Sequence, residues 1–285
     1  MKVIDFHIPK TTSANLIYQI DQAPFYPYYH RHQEIQISLF TQDTQYIISD
    51  QIGTFKAGEV LVLGSQFSHL FRLSDSDIID KQPVMYTLFL PPLNSENQDK
   101  SLYQIKEHEF LKNLIKRSQQ PFSVQLSAYR QRRWIKLFEQ SGAKQYIKTL
   151  GFLEFISRRK TSTLHLFQDQ HINEKEGARL NKIMQYMLER IDTEIDLDQI
   201  AAIAHLSPTS FCRFFKQHTD KTYLHFFQEL KIQKVAQLLV ENPDTPIGTI
   251  AVQMGYEDNS SFNRHFQKFK KTTPSRYRKK VLESK

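Results

Sequence analysis

Arg213 and Arg264 occupy the same slot of a frame that occurs twice towards the C-terminal end of the chain. The first copy is LDQIAAIAHLSPTSFCRFFKQ (197–217) and the second is TPIGTIAVQMGYEDNSSFNRHFQKF (245–269). Ile250-Ala251 repeats Ile200-Ala201 at an offset of 50 residues, and Phe262-Asn263-Arg264-His265-Phe266 repeats Phe211-Cys212-Arg213-Phe214-Phe215 at 51. The chemistry such arginines offer is a fork of N–H donors able to make two parallel bonds to one guanine edge. That chemistry needs the side chain held on an exposed, rigid face.

The spacing supplies the face. Ile200, Ala201 and Ala204 are small or apolar residues that let a second helix cross closely, and His205-Leu206-Ser207-Pro208 breaks the first helix. Ser207 is a natural N-cap, and Pro208 suits the first helical position, where a missing N–H is no loss. Phe211, Phe214 and Phe215 stand at i, i+3 and i+4 and face a core. Thr209, Cys212, Arg213 and Lys216 are left on the opposite face. In the second copy Gly255 allows the positive φ of a helix end, Asp258 caps the next helix, and Ser260, Asn263, Arg264 and Gln267 face outwards. A short helix, a tight turn and a second helix with a basic, polar outer face is the helix-turn-helix pattern. One helix, from about Tyr223 to Val240, joins the two copies and buries Phe226, Phe227, Leu230, Val235, Leu238 and Leu239. A rigid connector of this kind can set two recognition helices into successive major grooves, about 34 Å apart. An all-α bundle with merely solvated basic residues would require the repeat, both turns and both arginines to coincide.

The front of the chain carries a second candidate set. His30, His32 and Glu34 alternate, so on a strand they share one face, and His69 lies on a later strand able to pair nearby. ANLIYQI, EIQISLF, TQYIISD, EVLVLG, HLFRL and VMYTLFL each read as a short strand, which suggests a small β-sandwich or barrel. Phe55 to Glu59 reads as a turn. Pro91-Pro92 closes that region, and the period turns helical from about Leu102. Phe110, Leu111, Leu114 and Ile115 mark one helix, Trp134, Leu137 and Phe138 a second, and Tyr146, Ile147, Leu150, Leu153 and Phe155 a third. TSTLHLFQDQ (161–170) reads as a linker, and from Gly177 onward the pattern is helical.

Composition sets limits. The net charge is +8, shared equally on either side of Lys175, so bulk charge does not announce a nucleic-acid binder. Its patterning says more, because Ser261 to Lys285 holds nine basic residues and one acidic. A single cysteine, Cys212, rules out an intramolecular disulfide. No apolar run reaches secretory-signal or membrane-spanning character, so the expectation is a soluble, cytoplasmic protein. Cys212 reads as a small residue at the outer face rather than a redox sensor.

The stretches LSPTSFCRFFKQHTDKTYLHFFQELKIQKVAQLL and IAVQMGYEDNSSFNRHFQKFKKTTPSRYRK closely resemble the AraC/XylS family of transcription regulators. The signature residues are Ile250, Ala251, Gly255, Tyr256, Phe262, Arg264, Phe266, Lys268, Thr273, Pro274, Tyr277 and Arg278. The resemblance implies a DNA-binding domain of seven helices. Thr209, Cys212, Arg213, Ser260, Asn263 and Arg264 would face bases, while Lys216, Lys268 and Lys270 suit phosphates. Asp220 and Lys271 stand where the family usually has Gly, which implies altered loop geometry around a preserved fold. His265 sits on an apolar face and is expected to pack rather than touch DNA.

The β-rich front resembles the cupin-like effector domain of the arabinose-regulator subfamily. The resemblance rests on FYPYYHRHQEIQISLF, on the turn at Gly58 and on SQFSHLFRL. The implied fold is α+β in two domains: a cupin-like β-barrel with a helical dimerisation segment, then an all-α domain with two helix-turn-helix units. Its expected parts are an effector-sensing domain at 1–95, a helical linker and dimerisation segment at 96–165, and the DNA-binding domain at 177–285. The expected function is a sequence-specific regulator, an activator and not an enzyme, that works as a homodimer. Its partners would be double-stranded DNA, a small-molecule effector and RNA polymerase. Tyr28, His30, His32, Glu34 and His69 would bind the effector, beside Phe25, Tyr26 and Tyr29, and no metal or cofactor is expected. Three alternatives stay open: ordinary core and rim residues at those positions, control by a protein partner, or a metal-dependent cupin enzyme with a DNA-binding tail that uses His30, His32, Glu34 and His69.

Overall fold

A computed structural model describes residues 16–22, 29–73, 83–91, 101–159, 162–164 and 174–283. Tyr28, with Phe25 and Tyr26, lies outside the described residues. The chain divides into two compact units on either side of about residue 170.

The front unit is built on two antiparallel sheets. Strands β1 (Ile17–Gln22), β2 (Ile35–Phe40), β5 (Glu59–Leu63), β7 (Pro83–Leu90), β8 (Phe122–Gln125) and β9 (Ser162–Thr163) form one, in the order β1-β7-β2-β5-β8-β9. Strands β3 (Thr44–Ile48), β4 (Gln51–Phe55) and β6 (His69–Arg72) form the other, in the order β4-β3-β6. The period of two decides what each face of β2 meets. Ile35, Ile37 and Leu39 pack with Leu102 of α1 (Ser101–Gln104), Leu111, Leu114 and Ile115 of α2 (Glu109–Ser118), Trp134 of α3 (Ala128–Ile135), and Leu153 and Ile156 of α4 (Gly142–Ser157). On the opposite face Phe40 joins Leu61 and Leu63 against Ile48, Phe55 and Phe71 of the small sheet. Helices therefore cover one side of the large sheet and the small sheet covers the other.

Among the described residues no closed barrel forms. His30 bridges to His69 at the start of β6, with N–H to carbonyl bonds of 3.0 and 2.7 Å in the two directions. Two strands differ from the sequence reading. Residues 51–55 form β4, a strand absent from the sequence reading, which placed Phe55 in the turn to Glu59. Gly53 stands opposite Tyr46, and a Cβ there would come within 2.5 Å of the Tyr46 ring, so only glycine leaves the ring its place. Strand β8 lies inside the stretch read as helical, where Phe122 and Val124 extend the large sheet beside β5. The helical segment thus shares its sheet and its core with the front strands. Tyr146 and Ile147, read with the apolar residues of α4, are exposed, and Thr149, Leu153 and Ile156 form its buried stripe.

The second unit has seven helices among the described residues: α5 (Glu174–Glu189), α6 (Leu197–Ile203), α7 (Pro208–Thr219), α8 (Tyr223–Glu241), α9 (Ile247–Gln253), α10 (Asn259–Lys270) and α11 (Pro274–Glu283). The sequence repeat is a structural repeat. Helix α6 ends with Leu206 N–H on the Ala201 carbonyl and His205 N–H on that of Ala202; α9 ends with Tyr256 N–H on Ala251 and Gly255 N–H on Val252. Both are Schellman turns, with His205 at φ +52° and Gly255 at φ +70°. Helices α7 and α10 end alike. Asp220 (φ +55°) and Lys271 (φ +54°) each donate an N–H four residues back, to Lys216 and Gln267. The loop geometry expected to change without glycine is therefore retained, and the strain sits in two exposed backbone positions. Thr222 and Thr273 then cap α8 and α11, accepting from His225 N–H and Arg276 N–H.

Helix α8 is the shared strut. Its first half receives α7, with Phe215 on Phe226 at 5.5 Å and Phe211 on Tyr223 at 5.3 Å. Its second half places Ile232, Val235, Ala236 and Leu239 in a core with Ile250, Ala251, Met254, Phe262 and Phe266. Gly255 is more constrained than the other helix ends, because a Cβ there would lie 2.3 Å from the Asp192 carbonyl oxygen. Gly255→Ala should destabilise this unit by about 2 kcal/mol or more, and Lys271→Gly should stabilise it by about 0.5–1 kcal/mol by relieving the left-handed backbone. Urea titrations followed by helical circular dichroism check both; equal effects of the two substitutions would contradict the turn geometry.

Candidate nucleic-acid interface

Local rules fix the two recognition helices. Ser207 Oγ accepts from Ser210 N–H at 3.3 Å, with Pro208 at the first helical position. Asp258 Oδ1 accepts from Ser261 N–H at 2.7 Å. Its carboxylate is held below its ordinary range by the Ser261 backbone and hydroxyl bonds. Phe211 and Phe215 on α7, and Phe262 and Phe266 on α10, are fully buried at i and i+4. Everything on the far side of each helix is thereby turned outwards. Thr209, Arg213 and Lys216 are exposed and Cys212 is half-buried. Ser260, Asn263, Arg264, Gln267 and Lys268 are exposed on α10. Arg264 is steadied by a 3.2 Å bond to Ser261 Oγ, one turn back. Phe214 is only half-buried, lying 4.4 Å from His218 and beneath the Arg179 guanidinium at 5.4 Å.

Around α10 three further polar residues matter. His265 packs its ring on Tyr256 at 5.8 Å, and burial, then Arg264 and Lys268, push its pKa down. It is a packing residue, as its apolar face predicts. Lys231 of α8 is buried over Tyr256 and Phe227, at 5.6 and 5.4 Å, and desolvation lowers its pKa against the opposing pull of Glu194 and Asp192. His225, in the first turn of α8, lies 3.5 Å from Lys268. Sequence patterning does not reveal that pair, because 43 residues separate its members.

In the front unit the structure brings three of the predicted residues together. The rings of His30 and His69 are 4.3 Å apart, those of His32 and His69 5.1 Å, and those of His30 and His32 6.2 Å. They do not share one strand face. His30 makes the bridge to His69, and His32 and Glu34 precede β2. Each His32 ring nitrogen lies 3.0 Å from an oxygen, Nδ1 from the Glu34 carbonyl and Nε2 from Gln36 Oε1, and the neutral ring donates to one of the two. Gln36 Nε2 then donates to Ser38 Oγ at 2.8 Å, and Ser38 bonds Thr87 Oγ1 at 2.7 Å. This file of polar groups is buried throughout. Glu34 is buried beside it, with Oε2 3.9 Å from His32 Nδ1. With an oxygen against each of its ring nitrogens, His32 is not turned towards a metal position. Among the described residues no group of three or more His, Cys, Asp or Glu is arranged to hold one. Burial pushes both His32 and His69 below their ordinary range, His69 the further, with His30 and His32 adding to its shift.

Residues 200–280 match the family model described as a helix-turn-helix domain. The MmsAB operon regulatory protein of Pseudomonas aeruginosa is 32% identical over 110 residues, 38% of this chain and 36% of that protein. The RCS-specific HTH-type transcriptional activator RclR of Escherichia coli is 33% identical over 105 residues, 37% of each. The HTH-type transcriptional activator RhaR of Mannheimia succiniciproducens is 23% identical over 265 residues, 92% of this chain and 90% of that one. Residues 200–280 are a helix-turn-helix domain of the AraC/XylS type. The matched stretch spans little more than a third of the first two relatives. Within the AraC/XylS-type domain, α6–α7 and α9–α10 are the two helix-turn-helix units. Among the described residues no helix is long and apolar enough to cross a membrane.

The buried histidines set a sign for the pH dependence of the front unit. A histidine whose folded pKa is depressed refuses a proton that the unfolded chain accepts at its ordinary value of about 6.5. Stability of this unit should fall as pH drops below about 6.5, by up to about 1.4 kcal/mol per pH unit for each such histidine. Trp134, the one tryptophan, is fully buried in this unit and reports on it. Denaturant titrations followed by its fluorescence should show the loss in the wild type and a shallower one in His69→Gln. An unchanged slope in that variant would remove His69 as the cause.

Proposed function

We propose that the chain is a sequence-specific, DNA-binding transcription regulator, with α7 and α10 as its two reading helices. One observation carries this: Arg213 and Arg264 stand at equivalent registers of a duplicated unit, each exposed by a buried Phe pair behind it. In this reading Thr209, Cys212, Arg213, Ser260, Asn263 and Arg264 face base edges, and Lys216 and Lys268 face phosphates. The shared strut α8 suits two helices reaching successive major grooves on one side of the duplex.

The front unit, in this proposal, senses a small polar effector near His30, His32, Glu34 and His69, with Tyr28 as a further contact. The buried polar file supports it, because such groups can exchange hydrogen bonds with a bound molecule. Exposed Tyr129, Tyr146 and Ile147 on α3 and α4 support a homodimer through the helical segment. The sign of regulation is proposed as activation, on the printed names of RclR and RhaR. Effector binding would shift the population between two arrangements that differ in how α7 and α10 reach DNA. No catalytic role is proposed. A second reading, control by a protein partner, is favoured by the internal satisfaction of His32 and Gln36, which leaves few polar groups waiting for a ligand. A metabolite panel separates the two: an effector raises the melting temperature of the front unit, and a flat panel favours the partner.

The test of DNA reading is fluorescence anisotropy of the full chain on DNA from its own upstream region and on scrambled DNA, over a salt series. The wild type should prefer its own DNA, and Arg213→Ala and Arg264→Ala should each cost about 1–3 kcal/mol of that preference. Equal, salt-sensitive binding to both duplexes by all three proteins would sink the sequence-reading proposal.

A further inference from the structure

Lys268 stands four residues beyond Arg264, one turn further along the exposed face of α10. Its ammonium lies 3.5 Å from His225 Nδ1. Phe269 seats both groups: the His225 ring packs edge-on against it at 5.1 Å, and Lys268 Nζ is 5.2 Å from the same ring. The other charged groups acting on His225 are Lys221, from the turn between α7 and α8, and Glu229, further along α8. Glu229 is already paired with Lys221 at 2.8 Å and also faces Lys270. Lys270 itself donates to Gln233, and burial pushes its pKa down to about 8. Glu229 thus faces Lys221, Lys270 and His225, and Lys268 meets this group through His225. Desolvation, then Lys268, hold His225 below its ordinary range and thus neutral at neutral pH.

In the free protein the Lys268 ammonium donates to the unprotonated Nδ1 of His225, a bond that holds both groups at one exposed spot; an anion set against the pair would let His225 take up a proton as well. We propose that His225 and Lys268 together grip one phosphate of the DNA backbone, beside the bases read by α10. This rests on the reading of α7 and α10 as DNA-binding helices. The grip belongs to the second unit alone, because the repeat places Gln217 in the slot of Lys268. It also makes DNA binding consume a proton. A phosphate beside His225 favours the imidazolium, so affinity rises as pH falls from above the bound-state pKa towards the depressed free-state value. His225 is then a positioning and affinity-setting residue that carries no base information.

The experiment uses the full chain, with the upstream duplex and a scrambled duplex of equal length as probes. Anisotropy is read between about pH 8 and about pH 6, each with a salt series. The wild type should gain affinity on acidification, approaching a limit of about three- to tenfold, the size given by a pKa raised by half to one unit on binding. His225→Gln should lose most of that gain, its affinity staying nearly the same from the alkaline to the acidic end, whatever its level at the alkaline end. Lys268→Gln should lower the salt slope by about 0.9, one phosphate contact. Retention of the full pH gain in His225→Gln, or an unchanged salt slope in Lys268→Gln, overturns the grip. If both duplexes bind equally yet His225→Gln still abolishes the gain, sequence reading fails and the grip stands. No binding to either duplex overturns both.

Discussion

Two pairs of phenylalanines, Phe211 with Phe215 and Phe262 with Phe266, decide the geometry of the helical second unit. Each pair stands one helical turn apart and is fully buried against the fixed strut α8. Burying two such rings is worth several kcal/mol relative to exposure, far more than any single surface contact on the opposite face. The rotation of α7 and α10 about their axes is therefore set by their apolar sides. The outward arginines, lysines and short polar residues inherit their direction from the core, and can vary without altering how the helix sits.

The same division explains why strain is tolerated where it is. His205, Asp220 and Lys271 hold left-handed backbone without glycine, at a cost of order 1 kcal/mol each. All three end helices whose packing is over-determined by buried neighbours, so the chain has no cheaper path to the next cap. At Gly255 the side chain has no room, because the Asp192 carbonyl fills the space. The equivalent turns thus differ in residue but not in hydrogen bonding, and glycine is kept where crowding as well as φ demands it.

What the sequence makes legible follows from the range of the forces involved. Caps, Schellman turns and the i, i+4 Phe pairs act over a few residues, so the second unit can be read almost element by element from Leu197 to Lys280. Strand β8 is four residues long and flanked by helices, and its only reason to be extended is the free edge of β5, which lies some sixty residues earlier. Strand β4 lacks apolar alternation because Tyr46, not Gly53, fills the space over the glycine. The exposed Tyr146 and Ile147 show the same limit: composition marks α4 as apolar, but the packing of Leu153 and Ile156 chooses its buried stripe. At the candidate sites, the exposed face of α7 and α10 follows from periodicity. The His225–Lys268 pair and the His32–Gln36–Ser38–Thr87 file do not, since each depends on contacts across the fold.

That buried file is a departure from the rest of the front unit. The face of the large sheet that carries it is apolar at one end, where Phe40 stacks on Phe55 at 4.8 Å and meets Phe71 at 5.3 Å. At the other end His32, Gln36, Ser38 and Thr87 bond to one another in a buried file. Replacing such a network with well-shaped apolar side chains is often neutral or stabilising, so stability alone does not call for it. The close-packed Phe end cannot admit a molecule without opening a cavity, which costs several kcal/mol. The polar end can exchange internal hydrogen bonds for those of a ligand at little net cost, provided every donor and acceptor is matched again. A ligand shifts a protein between states only by its difference in affinity for them. In the proposed reading, the polar end is the part of the described front unit suited to develop such a difference, since local departures from an apolar core are expected at functional sites.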